Sequence, residues 1–209
     1  VDGSVSSQFL TGLLFALPVV EHDSSLKVIQ LASKPYIDLT ISVLNHFGIE
    51  VENNEYSEIF IKGRQKYKPA EYRVEEDWSG IAFLSVLGAI SGNVRIGNLS
   101  ADSVQADKRI IDVLKMCGAD LRLIGNELVV SRKDLKPFLF DITDCPDLAP
   151  PLVALASFCD GKSVITGTRR LRSKESNRSK TLAEEFTKLG AGISLTQNSI
   201  EITGVKSVS

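Results

Sequence analysis

Three stretches of this chain close a helix and open a strand in nearly the same words: Leu44-Asn45-His46-Phe47-Gly48-Ile49, Leu114-Lys115-Met116-Cys117-Gly118-Ala119 and Phe186-Thr187-Lys188-Leu189-Gly190-Ala191. Their glycines stand 70 and 72 residues apart. Ser7, Asp77 and Asp147 keep the same period, each just ahead of a long apolar run, and strand-like segments at 58–63, 127–132 and 199–204 close each repeat. The chain therefore reads as three copies of one supersecondary unit. Such units bury their apolar faces by stacking, and stacking brings equivalent loops to one surface where a site can be built.

Within the second copy, 72–74 is predicted as a short strand, 78–91 as a mostly apolar helix closed by Gly92, and 94–96 as a strand. An amphipathic helix over 106–117 follows, with Ile110, Ile111, Val113 and Leu114 inward, then a hairpin of 120–124 and 127–130 turning at Gly125-Asn126. This is a β-α-β-α-β-β unit. The third copy repeats it with strand 138–142, helix 148–159, strand 163–165, helix 177–189 and strands 192–196 and 199–202. The first copy has helix 8–20, strand 26–29, helix 35–47 and the final hairpin, but its opening strand is largely missing. The predicted fold class is α/β, with three such units present. The first helix of each unit is apolar nearly all round and is expected to be internal, whereas the second is amphipathic and covers a sheet.

A chain of 209 residues with 43% hydrophobic and 24% charged residues can build a sizeable core as one large or two small domains. With 26 acidic against 24 basic residues the net charge is −2, so no global field draws it to nucleic acid or a membrane, and any anion binding must be local. No apolar run approaches the roughly 18 to 20 residues that span a bilayer, and the longest, 9–20, lacks a basic leader and reads as a buried helix. Three cysteines without a framework of spacings fit free thiols in a reducing compartment, so a cytoplasmic location is expected. His22 and His46 stand in no ligand motif, and neither a metal nor a cofactor is expected. The opening Val1-Asp2-Gly3 has no initiator methionine, which suggests an internal stretch of something longer. Between the first two copies, Gly63-Arg64-Gln65-Lys66-Tyr67-Lys68-Pro69-Ala70 is polar and basic, a candidate hinge.

The N-terminal ends of the apolar helices carry Ser6-Ser7-Gln8, Asp77-Trp78-Ser79 and Pro146-Asp147. Each could be an N-cap, worth about 1 kcal/mol. Three aligned helix starts could instead concentrate dipole potential into an anion site that needs no net basic charge. The densest chemistry is Arg169-Arg170-Leu171-Arg172-Ser173-Lys174-Glu175-Ser176-Asn177-Arg178, where cations surround one carboxylate just before the last amphipathic helix. It reads either as a solvated charged face or as a site in which forked guanidinium donors hold an anion beside an ionised, proton-exchanging carboxylate. Cys145, beside Asp147, is expected to be a packed free thiol.

Five segments in order, Gly3-Ser4-Val5-Ser6-Ser7-Gln8-Phe9-Leu10, Ser33-Lys34-Pro35-Tyr36-Ile37-Asp38, Val74-Glu75-Glu76-Asp77-Trp78-Ser79, Pro146-Asp147-Leu148-Ala149-Pro150 and Lys174-Glu175-Ser176-Asn177-Arg178, closely resemble the EPSP synthase family. Its members are the 3-phosphoshikimate 1-carboxyvinyltransferases of aromatic amino-acid biosynthesis. The resemblance implies an enolpyruvyl transferase fold, an inside-out α/β barrel-like arrangement of two lobes with three units each. On that reading residues 1–65 are the last unit of one lobe, 66–71 the crossing, and 72–209 two units of the other. It also implies about half an enzyme. The isolated chain is expected to be inactive and prone to self-association, and the full-length parent to be monomeric.

The same resemblance implies that Ser6, Ser7 and Ser33 hold the phosphate of shikimate 3-phosphate, with Tyr36 beside its ring and Gln8 contacting both ring and enolpyruvyl group. Asp147 is implied to bind the shikimate hydroxyls and take the attacking hydroxyl's proton, and Lys174 to contact the same substrate. Glu175 is implied to handle protons on the enolpyruvyl side, and Arg178 to clamp phosphoenolpyruvate; Asp77 reads as a cap. The chain departs from the usual pattern at Asn177, where many members have aspartate, at Ala106 within Gln105-Ala106-Asp107, at Gly80 after Asp77-Trp78-Ser79, and at Arg170, where some have asparagine. Alternatives are the sister enzyme acting on UDP-N-acetylglucosamine, and a non-catalytic binding module built on the same repeat. Ser6-Ser7-Gln8 with Ser33-Lys34-Pro35-Tyr36 favours a compact phosphate-bearing ring over a nucleotide.

Overall fold

The computed structural model describes residues 1–4, 6–100, 102–173 and 176–205. In chain order the elements are α1 (Gln8–Ala16), β1 (Ser24–Lys27), α2 (Lys34–His46), β2 (Glu52–Asn54), β3 (Glu58–Ile61), α3 (Trp78–Ser91) and β4 (Asn93–Ile96). There follow α4 (Ile110–Met116), β5 (Asp120–Ile124), β6 (Glu127–Ser131), β7 (Leu139–Asp141), α5 (Ala149–Ser157), β8 (Lys162–Thr166), α6 (Arg178–Lys188), β9 (Gly192–Leu195) and β10 (Ser199–Thr203). Short 3₁₀ turns precede α4 and α5, and α1 tightens into another at Leu17–Val19, where Pro18 has no N–H to continue the α ladder.

The repeated glycines end α2, α4 and α6 in one geometry. Gly48, Gly118 and Gly190 have φ of 78°, 77° and 93°. Each glycine N–H donates to the carbonyl three residues back (Asn45, Lys115, Thr187), and the next residue's N–H to the carbonyl five back (Leu44, Leu114, Phe186). This Schellman arrangement satisfies carbonyls that the helix end would leave bare, and it needs a left-handed residue that only glycine supplies without strain. The chain then enters a hairpin whose second strand is central to each sheet. The sheet orders are β1-β3-β2, β4-β6-β5 and β7-β8-β10-β9, antiparallel except for the parallel pair β7 and β8. The repeat seen in the sequence is thus a repeat of topology.

The chain divides into two compact units, Val1–Val74 and Glu75–Ser209. In the first, Leu10 and Leu14 of α1, Ile37 and Leu44 of α2, and Ile59 and Ile61 of β3 form a closed core. Residues beyond β3 bond back onto it, Arg64 N–H to Val20, Gln65 N–H to Pro18 and Lys68 N–H to Phe47. In the second unit α3 and α5 lie side by side, with Ala82, Val86, Leu152, Leu155 and Ala156 buried. Gly88 allows α3 to approach β6, since a Cβ there would sit 2.7 Å from the Val130 carbonyl.

Two expectations are corrected. Residues 72–74 are not a strand: the Glu71 carbonyl bonds His46 Nε2 at 2.8 Å, and Tyr72 packs edge-on against His46 and tilted against Phe47. The segment is thus held against the first unit by aromatic contacts. The first copy, conversely, keeps a remnant of its opening strand as a parallel bridge between Asp2 and Ile29. Nor are all first helices internal. α5 is covered by α3 and its own sheet, but α3 exposes Phe83, Leu84 and Leu87, and α1 exposes Phe9 and Phe15. An all-round apolar helix needs neighbours on every side, and these two have them on one side only within their own units.

Candidate active site

In the first unit the remnant strand sets the geometry. Gly3 N–H bonds the Ile29 carbonyl and Ala32 N–H the Gly3 carbonyl, so the segments leading into α1 and α2 run alongside one another. A Cβ on Gly3 would fall 2.8 Å from Leu31, which is why this crossing carries glycine. Ser6 and Ser7 then precede α1, and Ser33 precedes α2. The two helices are tied by Thr11 Oγ1 and Thr40 Oγ1 at 3.1 Å. Ser7 is nearly buried and helical, and its side chain makes no capping bond; Ser6 Oγ instead accepts the Gln8 N–H at 3.2 Å. Ser33 is buried with φ of 59° and also leaves α2 without a side-chain cap. Gln8 is exposed and Tyr36 half-buried, one turn into α2. The structure thus gathers Ser6, Ser7, Gln8, Ser33 and Tyr36 around two adjacent helix starts.

In the second unit Asp77 is a cap, its carboxylate accepting from the N–H groups of Ser79 at 3.0 Å and Gly80 at 3.1 Å. Gln105 locks the same corner, accepting from Trp78 N–H and donating to the Glu76 carbonyl. Ser79 Oγ donates to Asp107, a fully buried carboxylate. The departures at Gly80 and Ala106 therefore sit in a helix-start scaffold.

Asp147 behaves differently. It lies in the 3₁₀ turn Pro146–Leu148 and makes no capping bond; its Oδ1 accepts from Nη1 of Arg178, the first residue of α6, at 2.5 Å. Of the three helix starts flagged by the repeat, only Asp77 uses its side chain as a cap; Ser7 makes no capping bond, and Asp147 pairs with Arg178. Both members of the ion pair retain solvent access, with side-chain exposures of 27% for Arg178 and 36% for Asp147, so a ligand could reach either. Asn177 caps α6, its Oδ1 accepting from Lys180 N–H at 3.1 Å. Lys174 and Glu175 lie outside the described residues.

Further charges crowd this corner. Burial lowers the Arg170 pKa while Asp144 and Asp147 raise it again, and its Nη1 reaches the Thr143 carbonyl at 3.5 Å. At Asp141 burial pushes the carboxyl pKa up, but bonds from Thr143 and Thr166 and the charge of Arg109 bring it below its usual 3.8. Asp141 and Asp144 carry no family motif; the spacing of three between successive residues of Asp141, Asp144 and Asp147 was the only local signal of this acidic turn. Burial pushes the Cys145 thiol up to about 12, which keeps it protonated and unreactive. A cleft of about 430 Å³ lies at the other ends of α3 and α5, lined by Ile90, Arg132, Asp134 and Phe158, and contains none of the sequence-predicted site residues.

The family model of EPSP synthase (3-phosphoshikimate 1-carboxyvinyltransferase) matches residues 1–209. The chain belongs to the EPSP synthase family. Its 3-phosphoshikimate 1-carboxyvinyltransferase relatives include those of Clostridium botulinum (strain Alaska E43 / Type E3), 42% identical over 208 residues, and Clostridioides difficile (strain 630), 41% identical over 206. These alignments take in 99% and 98% of this chain but 48% and 47% of the relatives, so the chain spans about half their length. Among solved structures it is similar to EPSP synthase from Acinetobacter baumannii, with a TM-score of 0.77, 27% identity and coverage of 99% of this chain and 48% of that one. The enolpyruvyl transferase NikO from Streptomyces tendae shares the fold, with a TM-score of 0.69 at 18% identity over 90% of this chain and 44% of its own. The α/β repeat is thus the enolpyruvyl transferase fold shared by EPSP synthase.

Proposed function

We propose that this chain supplies half of an EPSP synthase that moves the carboxyvinyl group of phosphoenolpyruvate to the 5-hydroxyl of shikimate 3-phosphate and releases phosphate. The observation that carries the reading is the contact between Asp147 and Arg178. Two family-motif residues distant in sequence meet through their side chains alone, an acid able to accept a proton beside a guanidinium able to hold an anion. Ser6, Ser7 and Ser33 are assigned to the 3-phosphate, Tyr36 to the ring and Gln8 to the ring and enolpyruvyl group. The uncommitted hydroxyl of Ser7 at a helix start supports this. Lys174 is assigned to shikimate 3-phosphate and Arg178 to phosphoenolpyruvate.

In the reaction the 5-hydroxyl oxygen bonds to C2 of phosphoenolpyruvate as a proton is added to its methylene carbon. Asp147 accepts the hydroxyl proton, and Glu175 handles the proton at the methylene carbon. Loss of that proton and of phosphate from the tetrahedral adduct restores the double bond. The chain's own residues bind, orient and move protons; no cofactor is invoked.

Residues 1–65 are assigned to one lobe, 66–71 to the crossing and 72–209 to the other lobe, a division supported by the compact units on either side of Val74. Three buried free thiols support a reducing, cytoplasmic setting. The exposed apolar face of α3 supports self-association of the 209-residue chain, whereas the full-length parent is assigned as a monomer. The test is a chimera in which this chain replaces the matching half of the C. botulinum relative. Phosphate release from shikimate 3-phosphate and phosphoenolpyruvate is expected, with none when UDP-N-acetylglucosamine is the acceptor. A folded chimera without that activity, or one that prefers the UDP-sugar, overturns the reading.

A further inference from the structure

We infer that Tyr56 is a positioning residue for the start of α2, gripping its first turn so that Ser33 and Tyr36 are held in place for a phosphate-bearing ligand. The inference rests on the assignment of Ser33 and Tyr36 to shikimate 3-phosphate and adds a residue that acts through them. α2 begins with little of its own to hold it, since Ser33 makes no capping bond and no acidic residue stands in the first turn. Tyr56 supplies the grip from the turn between β2 and β3. Its hydroxyl donates to Asp38 Oδ1 at 2.6 Å, and the Lys34 ammonium lies over its ring, 5.2 Å from the centroid. Lys34 and Asp38 are four residues apart and so share one face of α2, which means that the tyrosine lies along the first turn and is held at both ends. The turn is also tied to the segment that leads into Ser33, because Val28 N–H donates to the Ser57 carbonyl at 2.9 Å.

The backbone gives an independent observation. Glu55 and Tyr56, in succession, have φ of 48° and 60°, in a turn where glycine, asparagine and aspartate adopt such angles at least cost. Asn53 Oδ1 accepts the Tyr56 N–H and the Asn54 carbonyl the Ser57 N–H, both at 2.9 Å, and these bonds hold the strained pair. A bulky residue persists in such a conformation only where its surroundings over-determine it, and for Tyr56 those surroundings include the first turn of α2.

The experiment compares the native sequence with Tyr56→Phe, which removes the hydroxyl and keeps the ring, in two settings. In the 209-residue chain, amide hydrogen exchange should quicken about fivefold or more at Tyr36, whose N–H donates to the Ser33 carbonyl. At Gly48 and Ile49, which close the other end of α2, it should change by less than about twofold. In the chimera, Tyr56→Phe should raise KM for shikimate 3-phosphate about three- to tenfold and leave kcat and KM for phosphoenolpyruvate within about twofold, because a misplaced binding group weakens ground and transition states alike. Asp38→Ala should match Tyr56→Phe and add nothing to it in the double variant, whereas Asp38→Asn, which keeps an acceptor, should lose less than Asp38→Ala. Asp38→Ala reads the same contact if Tyr56→Phe does not fold. Equal quickening at both ends of α2, none at Tyr36, or an unchanged KM for shikimate 3-phosphate in an active chimera overturns the positioning role. A folded native chimera without activity overturns the ligand assignment instead, and the exchange rates still decide whether Tyr56 grips α2.

Discussion

At Gly118 an added Cβ would meet no atom within 4 Å, so only the backbone resists a side chain there. Gly118→Ala is therefore expected to cost about 1 to 2 kcal/mol, the strain of holding an L-residue at positive φ, and Gly118→Asn less. Gly88 is the opposite case, with ordinary helical backbone but no space beneath it; Gly88→Ala should cost about 1 to 3 kcal/mol by forcing α3 off Val130. Denaturant titration of both variants separates the two causes, since Asn should relieve the first and worsen the second. Side-chain roles are read in the chimera. Asp147→Ala should slow turnover by about tenfold or more, while Ser7→Ala should mainly weaken apparent affinity for shikimate 3-phosphate. If Ser7→Ala leaves that affinity unchanged, the phosphate assignment fails even though the family stands.

The elements differ in how far their own unit satisfies them. α3 presents Ile81, Ala82 and Val86 inward and Phe83, Leu84 and Leu87 outward, although all six are apolar. Ile81→Ala should thus cost about 2 to 5 kcal/mol, whereas Leu84→Gln, measured at dilution where the chain is unassociated, should change stability by no more than about 0.5 kcal/mol. Equal losses would mean that the outer face is covered in solution. β7 and β8 are joined through Asp141, whose carboxylate accepts from Thr143 N–H at 2.9 Å and from Thr166 Oγ1 at 2.8 Å. Its pKa is lower folded than unfolded, so this contribution is complete above about pH 4 and is lost as pH falls through the folded value. Asp141→Asn should flatten the acid limb of the stability curve below that pH. A limb unchanged from the native chain would assign acid sensitivity elsewhere.

On the scale of the whole molecule, the chain spans about half the length of its relatives, and preorganised charges and dipoles usually contribute most to the rate of such reactions. The 209-residue chain alone is therefore expected to show no measurable phosphate release under conditions in which the chimera is active. Turnover by the chain alone would mean that it carries a sufficient site. Much of this protein was determined locally. The glycine period specified three Schellman ends, and apolar spacing specified the helices and hairpins to within a few residues. The order of family motifs pointed to Asp147 and Arg178, because each of these signals depends on neighbours along the chain. What only the tertiary structure decided were relations between distant segments. Tyr72 joins His46 and Phe47, where the repeated unit predicted an opening strand. One face of α3 is covered and the other bare, which composition cannot distinguish because both are apolar. Asp147 turns from its own helix start to a guanidinium 31 residues away, since a carboxylate takes whichever donor the fold brings to it, and an ionised fork outcompetes a backbone N–H.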